Sequence, residues 1–508
     1  MSKFILKRIG ISALVLFIAS ILMYVLVINS GDPLADLRES NDKNRENLMQ
    51  RRTEQMGLDL PWYVRYWNWL TGVGGCLKGA CNFGLDRSGQ NVNDLLAAAA
   101  GSSIRLVFLA TVLGIVLGIF FGVMTAIRQY SGFDYVVTAI AFIFFSLPSF
   151  VFAVLLKEYG AIRFNDWLAD AQISWWTTLI LAVLFALFCQ AIVAGSKKNR
   201  LITAVSSFVV AVALLQFLSV TRWFANPGSG FWMEALAGIA GAILFTALLV
   251  NISNRRALVN VLAVAGVYFV AILALNGVLV NASYLWLFIM LALGIAIAIA
   301  IPYFFGGYAR DSIRVAAIWT VIGMWVAMIV DYVSRYWVHY IDAVGSRPIS
   351  TIGSESPNFS GAGYFWLEFI DMGAHILLPT ISLTLMSIAS YTRYTRSSML
   401  ETLGQDYVRT ARSKGLPERI VMTRHAFRNA LIPITTIVAF DFAGLIGGAV
   451  ITEKVFGWKG MGNLFQTGLS HVDPNPVMAF FLVTGGIAVL MNMIADIAYA
   501  YIDPRIRR

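Results

Sequence analysis

Apolar stretches of about twenty residues recur along this chain, each long enough to cross a bilayer as a helix. They fall at 9–29, 104–127, 134–156, 175–194, 202–220, 233–252, 258–279, 284–305, 314–333, 375–392, 431–451 and 477–500. Soluble domains carry about 25% charged residues, whereas this chain has 13%, with 58% hydrophobic residues. The expected fold is an all-α polytopic membrane protein of about twelve spans, and the composition argues against a soluble enzyme. Lys3, Lys7 and Arg8 precede the first apolar run. No short apolar core with a small-residue cleavage site follows them, so the run reads as an uncleaved first helix with its N-terminus inside.

Charge tests this topology. Alternate loops hold Arg128, GSKKNR (195–200), SNRRA (253–257), GGYARDSIR (306–314), the Thr392–Pro433 segment and the terminal DPRIRR. All are net positive. The opposite loops hold Asp32, Asp36, Glu39, Asp166, Asp170, Asp342, Glu355 and Asp473. This is the positive-inside pattern, with both termini cytoplasmic, and it accounts for the net charge of +10 without nucleic acid.

The first outer loop, about 31–101, reads as two short amphipathic helices, with Pro61 opening the second. Its Trp62, Tyr63, Tyr66, Trp67 and Trp69 suit an interfacial belt together with a small loop core. Cys76 and Cys81 lie in the same loop. In an oxidising space they could pair, and two unpaired thiols is the alternative. Two cysteines without histidine do not make a closed zinc site. His339, His375, His425 and His471 show no metal or catalytic spacing, so no metal site and no catalytic residue is expected. The block from about 160 to 345 has six spans, short loops and no group of residues resembling a site.

The basic segment between the apolar runs 375–392 and 431–451 carries the most functional information. QDYVRTARSK (405–414) forms a helix with Arg409, Arg412 and Lys414 on exposed turns. Gly415 can take the left-handed conformation that ends it, and Pro417 suits the first turn of the next. A helix–Gly–helix elbow on the inner face could transmit movement to the two spans it joins. Contact with anionic lipid is the alternative.

Within this segment RSSMLETLGQDYVRTARSKGL, followed by His425, Asn429 and Pro433, resembles the coupling loop of dipeptide/oligopeptide ABC importer permeases. KFILKRI, GLDLPWYVRYWNWL, NFG, VNDLL, SLPSF (146–150), GGAVITEKVFGWKGMG (447–462) and NMIADIAYAYIDPRIR (492–507) match that family in order. The resemblance implies a six-helix permease core in the cytoplasmic membrane. It would work with a second homologous permease, two cytoplasmic ABC ATPases and an extracytoplasmic peptide-binding protein. The expected organisation is a first transmembrane helix (1–30), an extracytoplasmic loop domain (31–101), core helices 2–3 (102–158), an inserted block of about six helices (159–345) that is the largest departure from the usual six-span permease, and core helices 4–6 with the coupling loop 393–430 (346–508). The implied ATPase-coupling residues are Arg409, Thr410, Ala411, Arg412, Ser413, Lys414, Gly415, Leu416 and Pro417. Thr410, Ala411, Lys414, Gly415 and Leu416 match the motif directly.

Two smaller departures accompany the inserted block. Arg409 and Thr410 replace the Glu-Ala of the wider importer pattern, and Lys459 stands where Pro is usual, which points to a looser outer turn. The dipeptide Gly-Lys never occurs, so this chain cannot cradle ATP by a P-loop. ATP and Mg then belong to the partner ATPases, and this subunit is not an enzyme. Charges inside spans mark polar pathways. Asp441, with Gly444, Gly447 and Gly448, is a candidate for the peptide path, while Asp496 follows the family pattern. A stand-alone secondary transporter is the rival reading. It predicts paired intramembrane ions and an inverted repeat.

Overall fold

The computed structural model describes residues 2–502 except 42, 193–195, 229, 252–253, 360–362 and 445–448. Among the described residues the chain is helical, with one isolated β-bridge between Leu85 and Asn91. In chain order the main helices are α1 (Ser2–Ile28), α2 (Arg45–Met56), α3 (Trp62–Gly74), α4 (Val92–Ile127), α5 (Gly132–Ser146), α6 (Ser149–Lys157), α7 (Trp175–Ile192), α8 (Lys197–Val220), α9 (Trp232–Leu249), α10 (Arg255–Ala274), α11 (Tyr284–Phe305), α12 (Arg310–Ala343), α13 (Phe365–Leu403), α14 (Asp406–Ser413), α15 (Arg428–Gly444), α16 (Val450–Phe456), α17 (Met461–Ser470) and α18 (Pro474–Ile502).

Nine described helices are long and apolar enough to cross a membrane. The pair α5–α6 makes a tenth if it counts as one span. It bends by 99° at the break before Ser149. Pro148 lacks the N–H and fixes φ, so the helix stops at Ser146 and restarts after it. The expected spans at 175–194 and 431–451 hold α7 and α15, which fall outside that count. Two helices outrun their apolar stretches. α4 begins at Val92, capped by the Asn91 side chain, and α13 continues to Leu403. Residues 393–403 are charged enough to leave lipid, yet they remain good helix formers.

The chain divides into two compact units. One comprises residues 1–160, 351–354 and 376–508. Its spine is a seam between α4 and α13. A Cβ on Gly114, Gly118 or Gly122 would run into Ser387, Tyr391 or Thr395. Glycine at every fourth position lets the two backbones approach closely. Arg396 of α13 also grips Asp134 of α5 through two bonds of 2.8 and 3.0 Å. α18 packs on α1, α4, α15 and α17.

The first-loop helices α2 and α3 belong to this unit. Tyr66 and Trp69 turn inward with Tyr24, Phe83, Leu96 and Met478, and Tyr66 shares a hydrogen bond with Ser20. Trp62, Tyr63 and Trp67 stay exposed. The five rings therefore divide between a core and a surface, and Pro61 caps α3 from just outside it. Cys76 and Cys81 are joined as a disulfide.

The second unit comprises residues 161–350 and 355–375. α7 and α8 form a hairpin, while α9, α10, α11 and α12 pack as a bundle. Its core holds Val261, Val264, Tyr268, Met290, Val321, Met324, Tyr332 and Trp366.

Candidate functional site

The basic segment folds as an elbow. α14 buries Val408 and Ala411 against Val421 and beside Leu403. Its other face leaves Arg409, Thr410, Arg412, Ser413 and Lys414 exposed. Gly415 takes φ +74°, where a side chain would be strained. Its N–H bonds the carbonyl of Arg412, and the N–H of Leu416 reaches that of Ala411, closing the helix end. Leu416 and Pro417 are exposed, and Pro417 caps the next turn. Arg412 bridges the bend to Glu418 at 2.8 Å. That bond holds the Glu418 carboxyl below its usual range and the Arg412 guanidinium above its own.

The far arm of the elbow is anchored. A π-helical turn at Val421–Phe427 leads into α15. Ala426 and Ala430 pack with Ala126 of α4 and Met399 of α13. Ser398 donates to the carbonyl of Ala430, and Asn429 to that of His425. Displacing α14 therefore loads α4, α13 and α15 together. Eight of the nine residues proposed for coupling form its open surface or bend, whereas Ala411 faces the interior.

Further along α15, Asp441 is exposed and accepts a 2.5 Å hydrogen bond from the Tyr391 hydroxyl. Met386, Ser387, Ser390, Tyr391, Tyr394, Ile437 and Asp441 line a cleft of about 360 Å³. One wall is the glycine seam, since Tyr391 packs on Gly118. Gly444 is the last residue of α15. Gly447 and Gly448 lie outside the described residues, as does the side chain of Asp496.

The turn carrying Lys459 is held firmly, in contrast to the looseness expected of it. Glu453, buried beneath it, accepts from Ser103 Oγ at 2.6 Å and from the N–H of Asn463 at 3.0 Å. Trp458 donates its indole N–H to the carbonyl of Ser102. Burial raises the Glu453 carboxyl pKa, opposed by these donors. Nearby, Asp473 accepts from the N–H groups of Arg87 and Asn475. Its burial pushes the carboxyl up to about 6.

The reading of residues 160–345 as free of any site missed one cluster. Glu234 of α9 and Asp331 of α12 are both 0% exposed, and Arg335 pairs with Asp331. Both acids fall within expected spans, near their ends. The available signal was an acid inside an apolar stretch, with an arginine one helical turn beyond the second. The four histidines do not assemble. His375 bonds the carbonyl of Asp371, and no group of three or more metal-ligating side chains occurs among the described residues.

Comparison with known proteins identifies a family. Residues 194–508 match the family described as "Binding-protein-dependent transport system inner membrane component". Residues 1–84 match the N-terminal membrane component of such systems. Among curated relatives, the oligopeptide transport system permease protein OppB of Mycobacterium bovis is 42% identical over 165 residues, 32% of this chain and 50% of the relative. Oligopeptide transport system permease protein AppB of Bacillus subtilis is 45% identical over 132 residues, 26% of this chain and 42% of the relative. Dipeptide transport system permease protein DppB of Escherichia coli is 42% identical over 140 residues, 28% of this chain and 41% of the relative. The chain thus spans half or less of the length of these relatives.

Proposed function

The chain belongs to the binding-protein-dependent transport system inner membrane component family, a multi-pass membrane protein of the cytoplasmic membrane, and on that premise we propose that it is the permease subunit of an ATP-driven peptide importer. The observation that carries this reading is the anchored elbow. It offers a compact basic surface at Arg409–Pro417, rigidly joined to three long helices. A permease that must feel the movement of separate ATPases needs such a part. A lipid-binding loop would need the charge but neither the buried Val408–Val421 contact nor the anchored arm.

In this reading, two cytoplasmic ATPases bind ATP and Mg and close upon one another. One docks on this elbow and the other on that of a second, homologous permease. Closure draws the elbows together, and α13 and α15 swing as rigid bodies, turning the path outward. Hydrolysis resets it. The first-loop unit, with its disulfide, faces the extracytoplasmic space and receives peptide from a binding protein. Both termini lie in the cytoplasm, and about twelve spans cross the bilayer, six of them in the inserted block 159–345. Asp441 offers a carboxylate in an open cleft beside a tyrosine and two serines. It suits the ammonium end of a peptide, with Gly444, Gly447 and Gly448 keeping the adjoining wall narrow. The peptide class rests on the three relatives named above.

Purification from the native membrane in mild detergent, with mass spectrometry of what accompanies the chain, tests the assembly. Two P-loop ATPases, a second permease and a lipid-anchored binding protein are expected. Recovery of the chain alone, under conditions that hold comparable complexes together, would remove the elbow's partner and favour a stand-alone secondary transporter.

A further inference from the structure

The second unit encloses three ionisable side chains that the importer reading does not use. Glu234 lies in the first turn of α9 and Asp331 in the C-terminal half of α12, and neither is exposed at all. Protein, rather than lipid, covers them. α9 and α12 pack closely along this stretch, which brings the two carboxyls within electrostatic reach of each other. Arg335, one turn beyond Asp331, ion-pairs with it. The guanidinium lies 4.6 Å from the centre of the Phe231 ring and 4.9 Å from that of Tyr332. Tyr332 is itself fixed. Its hydroxyl donates to Asn276 at 2.7 Å, and its ring stacks on Trp366 at 4.9 Å and 7°.

The cluster has two acids and one base. None of the four carboxylate oxygens of Glu234 and Asp331 has a hydrogen-bond partner, and only Asp331 has an ion-pair partner, Arg335. A charged carboxyl with neither is too costly to persist inside an apolar bundle, and two buried carboxyls within reach of each other do not both ionise. A single proton removes the difficulty. Carried on Glu234, it supplies the missing donor toward Asp331 and leaves the Asp331–Arg335 pair electrically balanced. A metal ion fits less well, since no third metal-ligating side chain joins the two acids among the described residues.

We propose that Glu234 and Asp331 form a proton-binding site, with one proton shared between the two carboxyls and Arg335 as the fixed counter-charge. The site joins α9 to α12, so releasing the proton places an uncompensated negative charge between them and weakens their contact. Few other ionisable groups attend it. On α12, Tyr332 carries the Arg335 guanidinium against its ring, and Tyr336 donates to the carbonyl of Val280 at 3.5 Å. α10 sends Tyr268 into the bundle, where it packs beside Gly294 with Val321. Tyr284 and Tyr303 of α11 are exposed, and Glu368 of α13 accepts from the N–H of Gly363. The inference is independent of the importer reading.

The test uses the full-length chain in lipid nanodiscs. At neutral pH the infrared spectrum is expected to show the carbonyl stretch of a protonated carboxylic acid. E234Q, which copies the protonated side chain, should remove that band and abolish its loss at high pH, with folded yield retained. D331N should also remove it, because Glu234 is then free to ionise and pair with Arg335. The proposal is overturned if the parent shows no such band, or if the band survives both substitutions. It is also overturned if sodium raises the thermal midpoint of the parent but not of E234Q, which would make the ligand a metal cation.

Discussion

The two units partner their buried acids differently. In the unit built on α4, α13 and α15, the buried Asp134, Glu453 and Asp473 each accept from several donors, and other charged groups reach the surface. Asp441 opens on a cleft, and Arg409, Arg412 and Lys414 stand out from α14. Its close packing is carried by glycines at Gly114, Gly118 and Gly122. In the unit of α9 to α12, the strong polar groups are sealed inside. Glu234 and Asp331 have no exposed surface, and Asn260 is 6% exposed. Surface charges on an anchored frame are placed to meet other molecules. Enclosed charges must satisfy one another, and they fix a geometry or hold a proton.

Backbone strain gives the widest test of this contrast. Gly415 and Gly345 both have positive φ, +74° and +64°, and a Cβ on either would meet nothing. Proline, which locks φ near −65°, strains each site alike. Gly415→Pro is expected to abolish transport while leaving membrane insertion intact. Gly345→Pro should leave transport per folded complex near that of the parent. Equal loss in both, read by peptide uptake normalised to assembled complex, would mean that the drive does not run through the elbow alone.

Ion pairs give the next largest difference. Arg335 is partnered by the fully buried Asp331, and Arg412 by a Glu418 that is 57% exposed. Removing one member of a buried pair costs about 3 kcal/mol or more, whereas an exposed pair contributes less than about 1 kcal/mol. Arg335→Ala should therefore lower the thermal midpoint of the purified chain clearly, and Arg412→Ala hardly at all.

Packing follows. Gly118→Leu forces a side chain into the α4–α13 seam and is expected to cost about 3 kcal/mol. Gly266→Leu, where a Cβ would meet nothing within 4 Å, should be nearly silent. Comparable losses of monodisperse protein in the two variants would show that the seam is not specially tight.

The smallest effect is a pH slope. Burial raises the Asp473 carboxyl to about 6, from an ordinary value of 3.8. The folded chain therefore binds a proton that the unfolded chain releases within that window. Stability is expected to fall as pH rises from about 4 to about 6, by about 3 kcal/mol in all. Asp473→Asn should flatten this slope. A slope unchanged by the substitution would assign it elsewhere.

Much of this was legible in the residues. Apolar length located the long helices, because a span of given thickness needs a fixed number of residues. Gly415 and Pro417 announced the elbow, since each permits a backbone geometry that other residues resist. The stretch 134–156 reads as one apolar span, whereas the structure breaks it at Pro148 between α5 and α6. The same reasoning ended the span before α14 at residue 392, whereas α13 runs to Leu403. Hydropathy reports where lipid ends, and helix propensity carries the backbone further.

The sequence by itself determined that this is a membrane protein with a basic elbow and which residues form its bend. Those properties depend on local composition and on single-residue backbone preferences. Only the tertiary structure decided that Ala411 turns inward, that Tyr391 reaches Asp441, and that Glu234 meets Asp331 across two helices. Each of these joins residues from 10 to 97 positions apart, and the pairing depends on helix rotation and depth. Those are set by packing, which no local pattern records.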